Sequence, residues 1–278
     1  MHGIKNKEIK DISDIDWNDL IKTQRKRKPE KKEPGNQHWD KRAPSFVDHV
    51  GKTAYPDAFL KIMQPQADWT VLDIGCGGGT LSLPLSSRVK EITAVDFSGK
   101  MLEMLSAEIQ RQGIKNIRTV MARWEDDWSA KNIGFYDVAI ASRSLSVDDV
   151  EEAIKKLDRA ATKRVYLSTV VGDGPYDRRI FDAIGRDLIP AVDYIYIYNL
   201  LYQNGIHANI SFIHEENAKT FDDAGAAVSY LKWMLREVTP EEEHKLGMYI
   251  RDNMVMEGGK RLFKYKKSFK WAVLWWDK

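Results

Sequence analysis

Two short apolar runs set the first expectation. Thr70-Val71-Leu72-Asp73-Ile74 ends at glycines, and Glu91-Ile92-Thr93-Ala94-Val95-Asp96 follows after a helix-sized interval. Neither run alternates apolar with polar positions, which is the pattern of parallel strands covered by helices on both faces. Met101, Leu102, Leu105 and Ile109 then recur at helical spacing up to Gly113, and strands are predicted over 117–122 and 137–141. Asp148 and Asp149 open a helix whose Val150, Ala153, Ile154 and Leu157 share one face, and a fifth strand runs over 164–170. Five strand–helix alternations predict a doubly wound α/β sheet.

The flanks read differently. Residues 1–36 are polar, with Lys22, Arg25, Lys26, Arg27, Lys28, Lys31 and Lys32 crowded before Pro34 and Gly35, and are expected to form a tail. Phe46, Val47, Val50, Ala54, Phe59, Leu60 and Met63 suggest helices broken around Pro56. Beyond Gly174 the rhythm weakens. A helix closed by Gly205 is expected from Tyr194, although Tyr194, Tyr196 and Tyr198 at period two also suit a strand. Strands over 208–213 and 269–276 complete a sheet of seven, and the residues between them read as helical. Thr239, Pro240 and Glu242 carry a helix start there: a cap, a first-turn proline and an acid three residues past the cap. The expected organisation is a tail over 1–36 and one domain over 37–278, with core motifs in 70–170 and acceptor-side helices and an insertion in 175–268.

Composition narrows the function classes. The 278 residues are 43% apolar and 30% charged, which suits a folded globular chain. A net charge of +2 lacks the clustered excess of a nucleic-acid binder, and Glu30 and Glu33 interrupt the basic stretch. The run Trp271 to Trp276 is far too short to span a bilayer, and no secretory signal pattern opens the chain, so a cytoplasmic protein without a membrane partner is expected. Cys76 is the single cysteine, so neither an intrachain disulfide nor a multi-cysteine metal site is expected.

The segment that carries chemistry is Val71-Leu72-Asp73-Ile74-Gly75-Cys76-Gly77-Gly78-Gly79-Thr80, placed where a first strand turns into a first helix. Glycines let the backbone turn tightly and approach a ligand, at the strand ends where open α/β sheets bind theirs. In dinucleotide-binding dehydrogenases the third glycine comes three residues after the second. Here Gly75, Gly77 and Gly79 alternate, and Asp73 ends the strand two residues before Gly75. Asp96, ending the second strand, is an acid suited to accept from both hydroxyls of a ribose.

This pattern resembles the first motifs of the class I S-adenosylmethionine-dependent methyltransferases, most closely a branch with enclosed small-molecule sites. The resemblance implies a Rossmann-like seven-stranded mixed sheet with helices on both faces, an N-terminal helical extension and a helical insertion before the last strand. It implies S-adenosyl-L-methionine as cofactor, held at the turn from Asp73 to Gly79 with the backbone of Gly75, Cys76, Gly77 and Gly79 facing its methionine moiety, Asp96 on the ribose, Phe97, Ser98 and Met101 near the adenine, and Ser142 after the fourth strand also at the cofactor. Trp39-Asp40-Lys41-Arg42-Ala43 with Phe46 resembles the segment that folds over bound cofactor in such enzymes.

The third strand departs from the family. Where many relatives place an acid or amide on the adenine amino group, Ala122 is followed by Arg123-Trp124-Glu125-Asp126. Either Glu125 or Asp126 takes that role, or Arg123 and Trp124 stack on the ring. After the fourth strand, Ser142-Arg143-Ser144-Leu145 lacks the proline-rich motif of base amino-group methylation and the proline–cysteine pair of cytosine-carbon methylation. Arg143 is a candidate for an acceptor's carboxylate or phosphate, or for pairing with Asp148 or Asp149.

Methyl transfer needs alignment more than a covalent intermediate, so a general base is required only where the acceptor loses a proton. The candidates are His38, His207 and His214, with Tyr194, Tyr198 and Tyr202 as acceptor-site walls; Cys76 reads as a small filler. A small-molecule methyltransferase leads the readings. The alternatives are an RNA or protein methyltransferase docking through Lys22–Lys32, and a cofactor-binding protein without catalysis.

Overall fold

The computed structural model describes residues 10–27, 37, 39–41, 43, 53–217, 220–235 and 237–278. Two compact units divide the chain: Met1–Thr169, Tyr194–Ile213 and Ala272–Lys278 form the first, and Val170–Asp193 with His214–Trp271 form the second.

The first unit is built on strands β1 (Thr70–Ile74), β2 (Glu91–Asp96), β3 (Ile117–Met121), β4 (Tyr136–Ser142) and β5 (Ala161–Val170). β1 lies between β2 and β4 in parallel register, with Asp73 opposite Ala94 and Ile140, and β3 and β5 extend the sheet in parallel on either side. Val71, Leu72, Ile92, Ala94, Val138 and Ile140 are almost wholly buried. That two-sided burial is why these strands read as continuous apolar runs.

Strands β6 (Asn209–Asn217) and β10 (Lys267–Asp277) complete a seven-stranded sheet of order β3-β2-β1-β4-β5-β10-β6. Lys278 N–H donates to Lys163 O at 2.8 Å and Val171 N–H to Lys270 O at 3.3 Å, so β10 runs antiparallel to β5 and the sheet is mixed. The order reverses between β1 and β4. Open α/β sheets bind ligands in the crevice outside the carboxyl ends of the strands at such a switch point, which here falls above β1.

Helices α1 (Trp17–Lys26), α2 (Tyr55–Met63), α3 (Ser82–Leu85), α4 (Gly99–Gln112) and α5 (Val150–Ala160) belong to this unit. Helix α1, part of the expected N-terminal helical extension, lies within the stretch read as a tail. Ile21 is fully buried, Asn18 Nδ2 and Lys22 Nζ donate to Asp149 at 3.0 and 2.7 Å, and Arg25 donates to Leu145 O at 2.5 Å. Asp149 also caps α5, so part of the basic stretch anchors the start of that helix. Trp17, Leu20 and Ile21 are apolar at helical spacing, a signal outweighed in the tail reading by the charges that follow. We expect Ile21→Ala to lower the unfolding free energy by about 2–4 kcal/mol in urea denaturation; an unchanged midpoint would show a dispensable tail.

In the second unit, α6 (Arg178–Ile184) is followed, after the first unit's α7 (Tyr194–Gln203), by α8 (Ala224–Leu235) and α9 (Pro240–Asn253). Their core includes Ile180, Ile184, Leu231, Leu235, Leu246 and Ile250. Helix α9 starts at the predicted capping box, with Glu242 N–H donating to Thr239 Oγ1 at 3.3 Å and Thr239 N–H to Glu242 Oε2 at 2.8 Å.

One difference from expectation stands out. The stretch between the strands predicted over 208–213 and 269–276, read as helical, also holds a three-stranded sheet of β7 (Thr220–Phe221), β8 (Met254–Glu257) and β9 (Lys260–Phe263), in the order β7-β9-β8. Strands this short show no period, but Gly258-Gly259, both at positive φ between paired Glu257 and Lys260, is a two-residue hairpin turn the sequence did display. Among the described residues no helix is long and apolar enough to cross a membrane.

Candidate functional site

The glycine-rich turn sits at the switch point of the first unit. Gly75, Gly77 and Gly79 hold φ of 74°, 56° and 90°, a region costly for any residue with a Cβ. Gly75 and Cys76 N–H both donate to Val95 O, at 2.7 and 3.0 Å, which pins the turn to the end of β2. Space is equally restrictive. A Cβ on Gly75 would lie 2.2 Å from Ser144 Cβ, and one on Gly79 would lie 2.5 Å from Leu105 Cδ1. Ser144 also donates to Ile74 O at 2.7 Å, tying the loop after β4 to the turn.

Two buried acids frame the turn. Asp96 accepts from Gly77 N–H at 2.8 Å through one oxygen and from Ser98 N–H at 2.9 Å through the other. A carboxylate offers about four lone-pair sites, so both oxygens keep acceptor capacity for a ligand's hydroxyls. Burial pushes the Asp96 carboxyl up, opposed by the N–H groups of Ser98, Gly77 and Phe97. Asp73 accepts from Ser82 Oγ at 2.6 Å, and burial raises its carboxyl to about 6 against that bond.

The Asp73 shift has a pH consequence. Its folded value of about 6 exceeds the ordinary 3.8, so the native state holds the proton more tightly. The resulting stabilisation is complete below pH 3.8 and is lost as pH rises through 6. Asp73→Asn removes that titration, so its stability relative to the parent should rise by up to about 3 kcal/mol between pH 4 and 7. Denaturation at several pH values checks this, and a flat difference refutes it.

The turn is otherwise closed to chemistry of its own. Burial pushes the Cys76 thiol well up, as suits a filler. The helix after the turn, α3, has only four residues and contains Pro84, and its first turn bonds back to the glycines through Leu83 N–H on Gly79 O at 3.0 Å.

Beside that tip, Phe97 is half-buried and the Arg123 guanidinium lies 5.8 Å from its ring centroid. Ser98 caps α4, accepting from Met101 N–H at 3.2 Å, and donates to Asp40 at 2.5 Å. Asp40 thus ties the segment before the core to the β2 loop. Met101 is buried at 2% exposure and serves as core, whereas Met121, at the end of β3, is 60% exposed and was not singled out from sequence.

The residues after β3 are partly committed to structure. Trp124 Nε1 donates to Ser144 O at 3.2 Å, and Lys156 Nζ donates to Trp124 O at 2.7 Å. Asp126 accepts from Arg123 N–H at 3.0 Å, while Glu125 is exposed. Arg123 therefore presents its side chain next to Phe97, and Trp124 braces the Ser144 loop.

A second polar cluster lies at the ends of β4 and β5. Tyr55, fully buried, bonds Ser142 Oγ at 2.7 Å and Ser168 Oγ at 2.5 Å through its hydroxyl. Arg143 holds φ of 56°, unusual for a residue with a long side chain, and its N–H donates to Ser168 O and Oγ at 3.0 and 3.1 Å. Its guanidinium stacks over the Tyr55 ring at 4.0 Å. Tyr55 and Ser168 come from elements distant in sequence, and no spacing signalled them.

The base candidates do not converge. His38 and Phe46 lie outside the described residues. His207 is exposed and packs edge-on against Tyr202, at 5.5 Å between ring centroids, Tyr198 is half-buried on α7, and no hydrogen bond joins His207 or Tyr198 to the turn among the described residues. Tyr194 packs against Phe212 at 5.5 Å, and His214 is exposed and belongs to the second unit. Among the described residues no three His, Cys, Asp or Glu side chains are placed to hold a metal ion.

Comparison with known proteins agrees with this geometry. A methyltransferase domain family model matches residues 71–164. An uncharacterized protein of Haemophilus influenzae is 36% identical over 249 residues, covering 86% of this chain and 88% of its own. A 23S rRNA (uracil(1939)-C(5))-methyltransferase, RlmD, of Vibrio parahaemolyticus is 33% identical over 98 residues, only 22% of its length. Among solved structures, the YcgJ protein of Bacillus subtilis superimposes with a TM-score of 0.54 at 17% identity, over 80% of this chain and 97% of its own. A Bacillus halodurans protein assigned to the methyltransferases gives a TM-score of 0.57 at 14% identity, over 80% and 98%; both likenesses concern the fold. Motif, sheet order and relatives agree, and the chain belongs to the class I S-adenosylmethionine-dependent methyltransferases.

Proposed function

We propose that this enzyme methylates a small molecule at the crevice above β1, with the cofactor held by the glycine turn and Asp96. The observation that carries the site assignment is Asp96: a buried carboxylate that braces the turn through Gly77 and retains lone pairs on both oxygens. In this reading Asp96 receives the ribose hydroxyls, Phe97 and Arg123 offer ring and guanidinium faces to the adenine, and the backbone of Gly75 to Gly79 adjoins the methionine moiety. Of the earlier alternatives for the adenine, the pairing of Arg123 with Phe97 favours stacking by Arg123.

The cofactor supplies an activated methyl group for in-line displacement. The chain's part is alignment and exclusion of water, which can supply on the order of 7–11 kcal/mol. Ser142 and Arg143, fixed by Tyr55 and Ser168, precede Ser144, which bonds Ile74 O at the turn, and Arg143 is the group suited to an acceptor's carboxylate or phosphate. A small acceptor is favoured over RNA because Lys22 and Arg25 of the basic stretch are spent on Asp149 and Leu145.

The test has two stages. Calorimetry should detect S-adenosylmethionine, and absence of heat and of thermal shift at millimolar cofactor would reject the site. Cell extract incubated with enzyme and methyl-labelled cofactor should then carry label in the small-molecule fraction; label confined to RNA or protein would reject the acceptor class.

A further inference from the structure

Between α9 and its three-stranded sheet, the second unit carries a cleft of about 350 Å³, within the size range of small-molecule sites. On the helix side, His244, Gly247 and Arg251 recur at helical spacing on one face of α9, so two basic side chains stand either side of a bare position. A Cβ on Gly247 would meet no neighbouring atom within 4 Å. On the sheet side, Arg261 lies opposite Phe221 of β7 and Met256 of β8, and opposed residues of antiparallel strands share a face. Phe221 is buried in the unit's core, so Arg261 leaves the same core-facing side and is half-buried. Ile250 and Met254, both buried, close the cleft behind these groups.

The charge of the cleft has one sign, because no acid lines it. Glu243 pairs with Lys232 at 2.6 Å, Asp222 pairs with Lys260, and Asp252 falls about 100° round α9 from Arg251. Neither Arg251 nor Arg261 uses its guanidinium in an ion pair or hydrogen bond among the described residues. An arginine on a core-facing strand position without a carboxylate is a group arranged for an outside anion. A single guanidinium already matches the two oxygens of a carboxylate, whereas two guanidiniums and an imidazole suit the three oxygens and double charge of a phosphate ester. The volume leaves room for a small organic group beside the phosphate.

We infer that this cleft binds a small phosphate monoester, with its phosphate held by Arg251, Arg261 and His244. All of these residues belong to the second unit. The inference therefore stands apart from the assignment of the cofactor site.

Phenyl phosphate is the probe, titrated calorimetrically into the full-length protein at about 0.15 M salt, where long-range attraction between exposed charges is screened. Binding is expected in the submillimolar to millimolar range. It should weaken about tenfold or more in Arg251→Gln, in Arg261→Gln and for the singly charged phenyl sulfate, as loss of one charged hydrogen bond predicts. Inorganic phosphate should bind more weakly than the ester. Gly247→Glu places a carboxylate in the open space and suits a helix better than glycine, so it should abolish binding without lowering the melting temperature. Circular dichroism and a parallel S-adenosylmethionine titration establish that each variant is folded. No heat from millimolar phenyl phosphate with a protein that still binds S-adenosylmethionine would overturn the proposal and leave the methyltransferase reading intact. Equal affinity for phenyl sulfate or inorganic phosphate, or an undiminished response in a folded Gly247→Glu variant, would overturn it as well. So would a short single-stranded RNA that binds through Arg261 while the monoester gives no heat, a result that would assign the cleft to nucleic acid.

Discussion

Gly75→Ala should lower the unfolding free energy by about 3 kcal/mol and remove detectable cofactor binding. Two costs add. A left-handed φ of 74° costs a residue with a Cβ roughly 1–2 kcal/mol, and the new methyl group would lie 2.2 Å from Ser144 Cβ, an overlap worth about 1–3 kcal/mol. The contributions can be separated. Ser144→Gly removes the obstructing Cβ and leaves the φ strain, so the double variant should be more stable than the sum of the singles predicts by about 1 kcal/mol or more in a urea-denaturation cycle. Strict additivity would show that the Ser144 loop moves aside without cost and that the turn is looser than its hydrogen bonds imply.

Asp96→Asn should weaken S-adenosylmethionine binding by about 100-fold, close to 3 kcal/mol, with a smaller loss of stability. The asparagine amide keeps one acceptor oxygen, but its NH₂ must face either Gly77 N–H or Ser98 N–H, donor against donor. Asp73→Asn provides the contrast. Its partner is a hydroxyl, Ser82 Oγ, which an amide oxygen can accept equally well, so its binding should change little. Calorimetric titration of both variants decides the point: a change of less than about threefold in Asp96→Asn would remove Asp96 from the ribose site.

Much of this site was legible because it is local in sequence. The turn from Asp73 to Gly79 and the acid at Asp96 each lie within a few residues of a strand end, where β1 and β2 pair in parallel register and bring the two tips together. The residues that brace them were not legible. Ser144 reaches back to Ile74, Tyr55 joins Ser142 to Ser168, and Asp40 reaches Ser98, all contacts between chain segments with no periodic signature. Met101, which the family resemblance places near the adenine, is buried in the first turn of α4.

Helix α1 and the second unit show the same division. Charge along 22–32 implied a solvated tail, and only folding brings Asp149 within reach of Asn18 and Lys22. The hairpin of β8 and β9 depended on reading Gly258-Gly259 as a turn, and an aromatic row in the second unit, Phe221, Tyr230, Phe263 and Tyr265, is assembled from segments some forty residues apart.

The sequence by itself determined the doubly wound sheet and the glycine-rich turn, because burial on both faces imposes apolar runs and a positive φ imposes glycine, each written at the position where it acts. Tertiary structure alone decided how the turn is braced, where the basic N-terminal residues are used, and which side chains line the second unit's cleft. Those features depend on side chains that meet only after distant segments have packed, and hydrogen bonds or ring contacts of that kind leave no period in the chain.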